Sequence, residues 1–412
     1  MKFNELAISK PILKAVLEQN YTTPTLVQEK TIPLILAKKD IIASAPTGTG
    51  KTAAFALPIL QLFLDRQDAP KRGKKIKALI LSPTRELAIQ IDANFKTYSK
   101  YTNLRSTVVY GGVPLDPQID VLKKGIDILV ATPGRLLDLH KQDVINLDYI
   151  EVLVLDEADL MLDMGFADDI QKIERLCPEK KQVLLFSATM PDKVTDLASD
   201  MLNEPEKVWV APTSSAAKGV SQHLYYVPKR KKMELCLHLL RNTIKGQILI
   251  FRRTKFGTDK LEQTLLNNNY KVVSLHGDKS QTARQEALAQ FKKREANILI
   301  ATDVASRGID ISGLDAVINF DMPNVPEIYV HRIGRTGRAG AAGQAYSFCG
   351  ADEKSYIANI QKLLKKPIPT SEDNPYPLDP KEKPQVHKKS SGSKYRKGRK
   401  SVASKKKKKR WY

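Results

Sequence analysis

APTGTGKT occupies residues 45 to 52 and decides the fold. Upstream, IIAS at 41 to 44 reads as a short buried strand, and downstream TAAFALPILQLFL at 52 to 64 reads as a helix. A strand that turns through a glycine-rich loop into a helix is the local order that cradles a phosphate, because backbone N–H groups at the helix start converge on the anion. In such a loop Gly48 and Gly50 let the backbone come close, Lys51 reaches the β- and γ-phosphates, and the Thr52 hydroxyl faces Mg²⁺. Ala45 stands where the strict pattern asks for its first glycine, so the flanking strand and helix carry the identification; Pro46, Thr47 and Thr49 complete the loop.

Outward from this loop, short β-branched runs alternate with helical patterns, which predicts an α/β fold of parallel sheets covered by helices. In the first half, strands are expected at 40–44, 77–83, 107–110, 127–132, 151–157, 183–188 and 207–211. The second half offers 248–253, 271–277, 298–303, 316–321 and 345–350. APTSSAAKG at 211–219 is small, polar and aperiodic, and 412 residues exceed one ordinary domain. The expected division is a first domain at 1–211, a linker at 212–219, a second domain at 220–366 and a tail at 367–412. The Pro-rich start of that tail lacks an apolar pattern and is expected to be unstructured.

Charge is unevenly placed. The chain carries a net +22, of which residues 381 to 412 hold +14, with 15 Lys and Arg against the one acid Glu382. A mildly basic body with a strongly basic tail points to a polyanion, most simply nucleic acid, the plainer alternative being a solubilising tail. Cys177, Cys236 and Cys349 are far apart and lack metal-ligand spacing, so they read as buried or incidental thiols of a reducing compartment. The N-terminal segment has no uninterrupted apolar core, and the apolar stretch around 53–64 is too short for a bilayer, so a soluble cytoplasmic protein is expected.

Two further segments carry chemistry. VLVLDEAD at 152–159 puts Asp156 at the end of an apolar strand, where a carboxylate holds Mg²⁺ through water, and leaves Glu157 to position and deprotonate an attacking water. HRIGRTGR at 331–338 supplies arginines in a glycine-broken segment suited to the charge that develops on a γ-phosphate. Because it lies in the second half and the phosphate loop in the first, the site is complete only when the halves close, which ties hydrolysis to a conformational step. His276 and His331 have the residue type of general acids, yet a hydrogen bond within the motif is the expected role of each.

These motifs, in this order and spacing, resemble the DEAD-box family of ATP-dependent RNA helicases over roughly residues 3 to 365. The resemblance implies two tandem RecA-like domains, with a Q motif within 2–29. NYTTPTLVQ at 20–28 implies that Gln28 recognises adenine and Tyr21 packs near the base, although Asn20, Leu26 and Val27 depart from the commoner residues. PTRELAIQ at 83–90, GG at 111–112 and TPGR at 132–135 look like segments that grip the RNA backbone, making Arg85, Gly112, Thr132, Arg135 and Asp138 RNA-facing. SAT at 187–189 implies that Ser187 and Thr189 couple the DEAD residues to strand separation. In the second domain the likeness brings Gln281, Arg284, Thr302, Asp303, Arg307 and Gly308 toward RNA, Asp310 to the ribose of the nucleotide, and Arg335 and Arg338 to the γ-phosphate.

The same resemblance implies an RNA-stimulated ATPase using ATP and Mg²⁺, similar to the bacterial RhlE-like kind, with sequence-blind contacts to phosphate and sugar and RNA told from DNA by 2′-hydroxyls. The tail would be an electrostatic tether. A monomer without membrane attachment is expected, working with ribosome-assembly or RNA-decay partners. The rival expectation is an ATP-gated RNA clamp or scaffold with little unwinding; a DNA translocase fits the RNA-facing motifs poorly.

Overall fold

The computed structural model describes residues 2–46, 48–64, 75–210, 219–306, 311, 313–337 and 343–379. The first sheet is built from β1 (Ile41–Ser44), β2 (Ala78–Leu81), β3 (Ser106–Val109), β4 (Ile128–Ala131), β5 (Val152–Leu155), β6 (Gln182–Ser187) and β7 (Glu206–Trp209). Its order is β3-β4-β2-β5-β6-β1-β7, and every pairing is parallel. Alternate residues of a strand face opposite ways. Ala78, Ile80, Val152, Val154, Leu184 and Phe186 join one apolar cluster with the N-terminal helices, while Leu79, Leu81, Leu153, Leu155, Val183 and Leu185 join another with the later ones. Burial on both faces is why these strands read as unbroken apolar runs.

The second sheet comprises β8 (Val220–Tyr226), β9 (Ile248–Arg252), β10 (Val272–Leu275), β11 (Ile298–Thr302), β12 (Ala316–Asn319) and β13 (Gly343–Cys349). Its order is β10-β11-β9-β12-β13-β8, again parallel throughout. Ile248, Ile250, Ile298 and Ile300 face one cluster; Leu249, Phe251, Leu299 and Ala301 face the other. Every strand expected from the sequence is present; most are trimmed at their ends, while β3, β6 and β7 begin one residue earlier than expected and β13 two. β8 is additional to that set: VSQHLYY follows the small polar linker segment and mixes polar with apolar residues, although it buries Val220, Gln222, Leu224 and Tyr225 against β13.

The tail boundary needs correction. Residues 367–379 are not a loose lead but a strap laid along β8, with an isolated parallel bridge between Leu224 and Thr370. Leu224 N donates to Pro369 O at 2.9 Å, Ser371 N to Leu224 O at 2.9 Å and Leu378 N to Tyr226 O at 2.9 Å, while Ile368 and Leu378 are buried. An edge strand offers unpaired backbone groups, and the strap satisfies them. The linker residues 212–218 and the basic segment 381–412 lie outside the described residues. All three cysteines are buried, and burial pushes each thiol up to about 12. No helix of the described residues is long and apolar enough to cross a membrane.

Candidate nucleotide and RNA site

Three adjacent strands deliver the chemistry to one rim. β5, β6 and β1 are neighbours, so Asp156 just past β5, Ser187 at the end of β6 and Ala45 just past β1 lie side by side, and Ala45 N donates to Ser187 O at 3.0 Å. Lys51 opens the helix Lys51–Leu64; its ammonium is buried and donates to Ala45 O at 2.9 Å. Thr49 Oγ1 closes the loop on Pro46 O at 2.7 Å. Gly50 has φ +87, and a Cβ there would lie 2.4 Å from Gln28 Nε2, so only glycine lets Gln28 lie against the loop. Thr47 lies outside the described residues.

Gln28 is nearly fully buried and both ends of its carboxamide are engaged: Nε2 donates to Gly50 O at 3.1 Å and Oε1 accepts from Thr25 N at 2.9 Å. Thr25 Oγ1 adds a bond to Thr49 O at 2.7 Å, so the helix Leu26–Leu36 is clipped to the phosphate loop. Tyr21 lines the same cavity, its ring 6.4 Å from that of Tyr98. Tyr98 belongs to none of the sequence motifs. It ends the helix Arg85–Tyr98, whose Leu87, Gln90, Asn94 and Tyr98 recur at helical spacing along one wall of a cavity of about 390 Å³.

Asp156, Glu157, Lys51 and Thr52 line that cavity too, and Arg335 reaches it from the second domain. Burial pushes the Asp156 carboxyl up to about 7 even with Lys51 nearby, and the Glu157 charge adds to the rise. Adjacent acids so held, with a threonine hydroxyl beside them, are a hard oxygen donor set that fits Mg²⁺. Glu157 takes left-handed backbone angles, φ 52 and ψ 53, at the start of the helix Ala158–Asp163, a conformation costing on the order of 1 kcal/mol for a non-glycine residue.

Asp159 joins this site to the SAT segment. Its Oδ2 accepts from Thr189 N at 3.0 Å and Thr189 Oγ1 at 2.7 Å, while Asp159 N donates to Ser187 Oγ at 3.3 Å. Burial works against its charge, but Lys51 and the bonds from Thr189 and Ser187 outweigh it and hold the carboxyl below its usual range. Beyond Glu157 a second cavity, of about 430 Å³, runs past Asp159 and Thr189 to His331 and Arg335. Glu157 and Arg335 line both. Arg338 and Asp310 lie outside the described residues.

The expected RNA-facing residues divide. Arg85, Gln281 and Arg284 meet across the domains: Arg85 Nη1 donates to Gln281 Oε1 at 3.3 Å, Gln281 Nε2 to Glu86 Oε1 at 3.1 Å, and Arg284 Nη2 lies 3.1 Å from Glu86 Oε1. Glu86, absent from the expected set, is the shared acceptor of Gln281 and Arg284. The Arg85 guanidinium covers Gly112, where a Cβ would sit 2.1 Å from Nη1. Arg135 Nη2 donates to Val113 O at 2.9 Å, Thr132 stands at the N-terminal cap of the helix Pro133–Lys141, and Asp138 is exposed on it.

Thr302 ends β11, and Asp303 is bound by Arg332, an arginine of HRIGRTGR that the fold commits to this carboxylate and not to the γ-phosphate. Arg307 and Gly308 lie outside the described residues. His276 Nε2 meets Asp259 Oδ1 at 2.8 Å, a bond to the neighbouring helix Lys255–Asn267 instead of within its own motif.

Residues 25–197 match the family profile described as DEAD/DEAH box helicase, and residues 231–340 match the helicase conserved C-terminal domain. The chain is 42% identical over 366 residues to the DEAD-box ATP-dependent RNA helicase RhpA of Helicobacter pylori, covering 89% of this chain and 73% of that one. It is 42% identical to the ATP-dependent RNA helicase CshA of Limosilactobacillus reuteri, over 89% of this chain and 72% of the relative. Among solved structures it resembles S. cerevisiae Dbp5 bound to RNA and ADP BeF3, with TM-score 0.79 and 30% identity over 90% of this chain and 95% of that one. The DEAD-box helicase Mss116 bound to ssRNA and UDP-BeF is similar at TM-score 0.81 and 30% identity, over 90% and 80% of the two chains.

Proposed function

As this chain belongs to the DEAD-box family of ATP-dependent RNA helicases, we propose how its own residues run the cycle by which it remodels RNA through closure of two domains. The carrying observation is Arg335: a second-domain arginine that lines the first-domain cavity beside Lys51, Asp156 and Glu157. ATP enters that cavity as substrate, its adenine toward Tyr21 and Gln28 and its phosphates on the loop from Ala45 to Thr52. Lys51 exchanges the Ala45 carbonyl for the β- and γ-phosphates. Thr52 and Asp156 would hold Mg²⁺, which when bound offsets phosphate charge. Glu157 orients the attacking water and takes its proton. Arg335, with Arg338, neutralises the charge that grows on the γ-phosphate, a contribution that appears only when the domains meet.

RNA engagement uses Arg85, Gly112, Thr132, Arg135 and Asp138 on the first domain and Gln281, Arg284, Thr302, Arg307 and Gly308 on the second, while Asp303, held by Arg332, positions its own segment instead; Asp310 serves the ribose of the nucleotide. Thr189 and Ser187 report the state of Asp159 to that groove. We further read the protein as a cytoplasmic monomer of the RhlE-like kind, its residues 381–412 tethering RNA electrostatically. Displacement of a short RNA duplex by the full chain tests the reading: opening with ATP, none without it and none of the matching DNA duplex is expected. Equal opening of DNA, or opening that Arg335→Ala leaves intact, would refute it.

A further inference from the structure

Phe256 leaves 77% of its surface in solvent, more than any other large hydrophobic side chain described. It is the second residue of the helix Lys255–Asn267, which buries Gly257, Thr258, Leu261 and Leu265 toward the sheet. The ring therefore adds little to the core, and a lone exposed aromatic needs no explanation unless its place supplies one. Here the place does.

The helix springs from the C-terminal end of β9, whose Arg252 lies in register with Thr302 of β11. Lys255 pairs with Asp278, and Lys279 with Glu262, tying the start and the middle of this helix to the loop that leads into Gln281. Gln281 and Arg284 face Glu86 of the first domain. Phe256 thus stands on the rim that carries the second domain's RNA-facing residues. Arg253 and Lys255 beside it are roughly half exposed or more, though each is paired, with Glu353 and Asp278 respectively.

We propose that Phe256 offers a stacking face to a base at the second-domain end of the RNA held in the cleft. This rests on the RNA-helicase reading and adds to the backbone grip a contact that any base satisfies, since every base has an apolar face. A protein partner is disfavoured by continuity with the RNA rim.

The test uses the full chain, the nonhydrolysable analogue AMP-PNP, and short single-stranded RNAs carrying 2-aminopurine at either end. Phe256→Ala should weaken RNA binding at least about fivefold, the low end of the loss on removing one base–aromatic stack. Phe256→Trp should bind as wild type, and Phe256→Leu should fall between. The wild-type protein should quench the probe at one end only, and Phe256→Ala should abolish that quench without changing the melting temperature. Binding by Phe256→Ala within twofold of wild type, with the quench intact, would overturn the proposal while leaving the helicase reading standing. Wild-type protein that fails to bind RNA with AMP-PNP would overturn both.

Discussion

Arg332 holds Asp303 by two parallel contacts, Nε to Oδ1 and Nη2 to Oδ2, each 2.7 Å. The guanidinium is almost fully buried, and its Nη1 donates to Asn319 Oδ1 at 3.1 Å and Asp321 O at 2.7 Å. A carboxylate engaged in this way is poorly placed to meet an RNA phosphate, which it would repel. It instead fixes the start of the Asp303–Ser306 turn to the helix Pro326–Ile333, three residues before Arg335.

Arg332→Lys keeps the charge and loses the fork. Its expected outcome is a fall in RNA-stimulated kcat of about 10-fold or more, with KM for ATP changed less, because Arg335 is no longer held where transition-state charge develops. Steady-state kinetics decide it, and a rise in KM alone would count against the positioning role.

Lys51→Ala should remove ATP turnover, since no other ammonium among the described residues lines the phosphate end of the cavity. Glu157→Gln preserves shape and leaves the left-handed turn as it was. ATP and RNA should bind and persist while hydrolysis drops about 10²- to 10⁴-fold, the range of a lost general base. Filter binding beside an ATPase assay separates the two variants, and loss of RNA binding in Glu157→Gln would make that residue structural.

The strap predicts a difference between two truncations. A chain ending at residue 366 loses the burial of Ile368 and Leu378 and re-exposes the β8 edge, and should be destabilised by about 1.5 to 3 kcal/mol per buried side chain. A chain ending at 379 should melt like the full protein. Equal melting of both truncations would show that the strap adds nothing to the second domain.

Removing residues 381 to 412 takes away a net +14 and should leave the rate at saturating RNA unchanged. The RNA needed for half-maximal ATPase should rise. The slope of log affinity against log salt should flatten by about 0.7 for each phosphate no longer neutralised. A salt slope that stays put would leave solubility as the role of this segment.

Legibility in the sequence tracks where the information lies. Runs such as ALIL at 78–81 and VLVL at 152–155 announce central strands because both faces are buried. Lys51, Asp156 and Glu157 sit in short motifs whose spacing is itself the signal. Ile368 and Leu378 are isolated apolar residues in a Pro- and acid-bearing stretch, and their partner β8 lies about 150 residues earlier, so nothing local marks them. The roles of Glu86, Tyr98 and Arg332 are hidden for the same reason: each matters through a neighbour that only tertiary folding supplies.

The direction of the strap bears on mechanics. It runs parallel to β8, so the chain enters the second domain at the start of that strand and departs, toward the basic segment, beyond its end. Were residues 381–412 to grip RNA, as proposed, and be pulled against the first domain, the load would cross the β8–strap bonds sideways. Bonds loaded in shear share the force and must fail together, whereas an antiparallel strap would bring both attachment points to one end and peel open bond by bond. The parallel strap thus orients the edge of the second domain to resist a pull applied between the two ends of that domain.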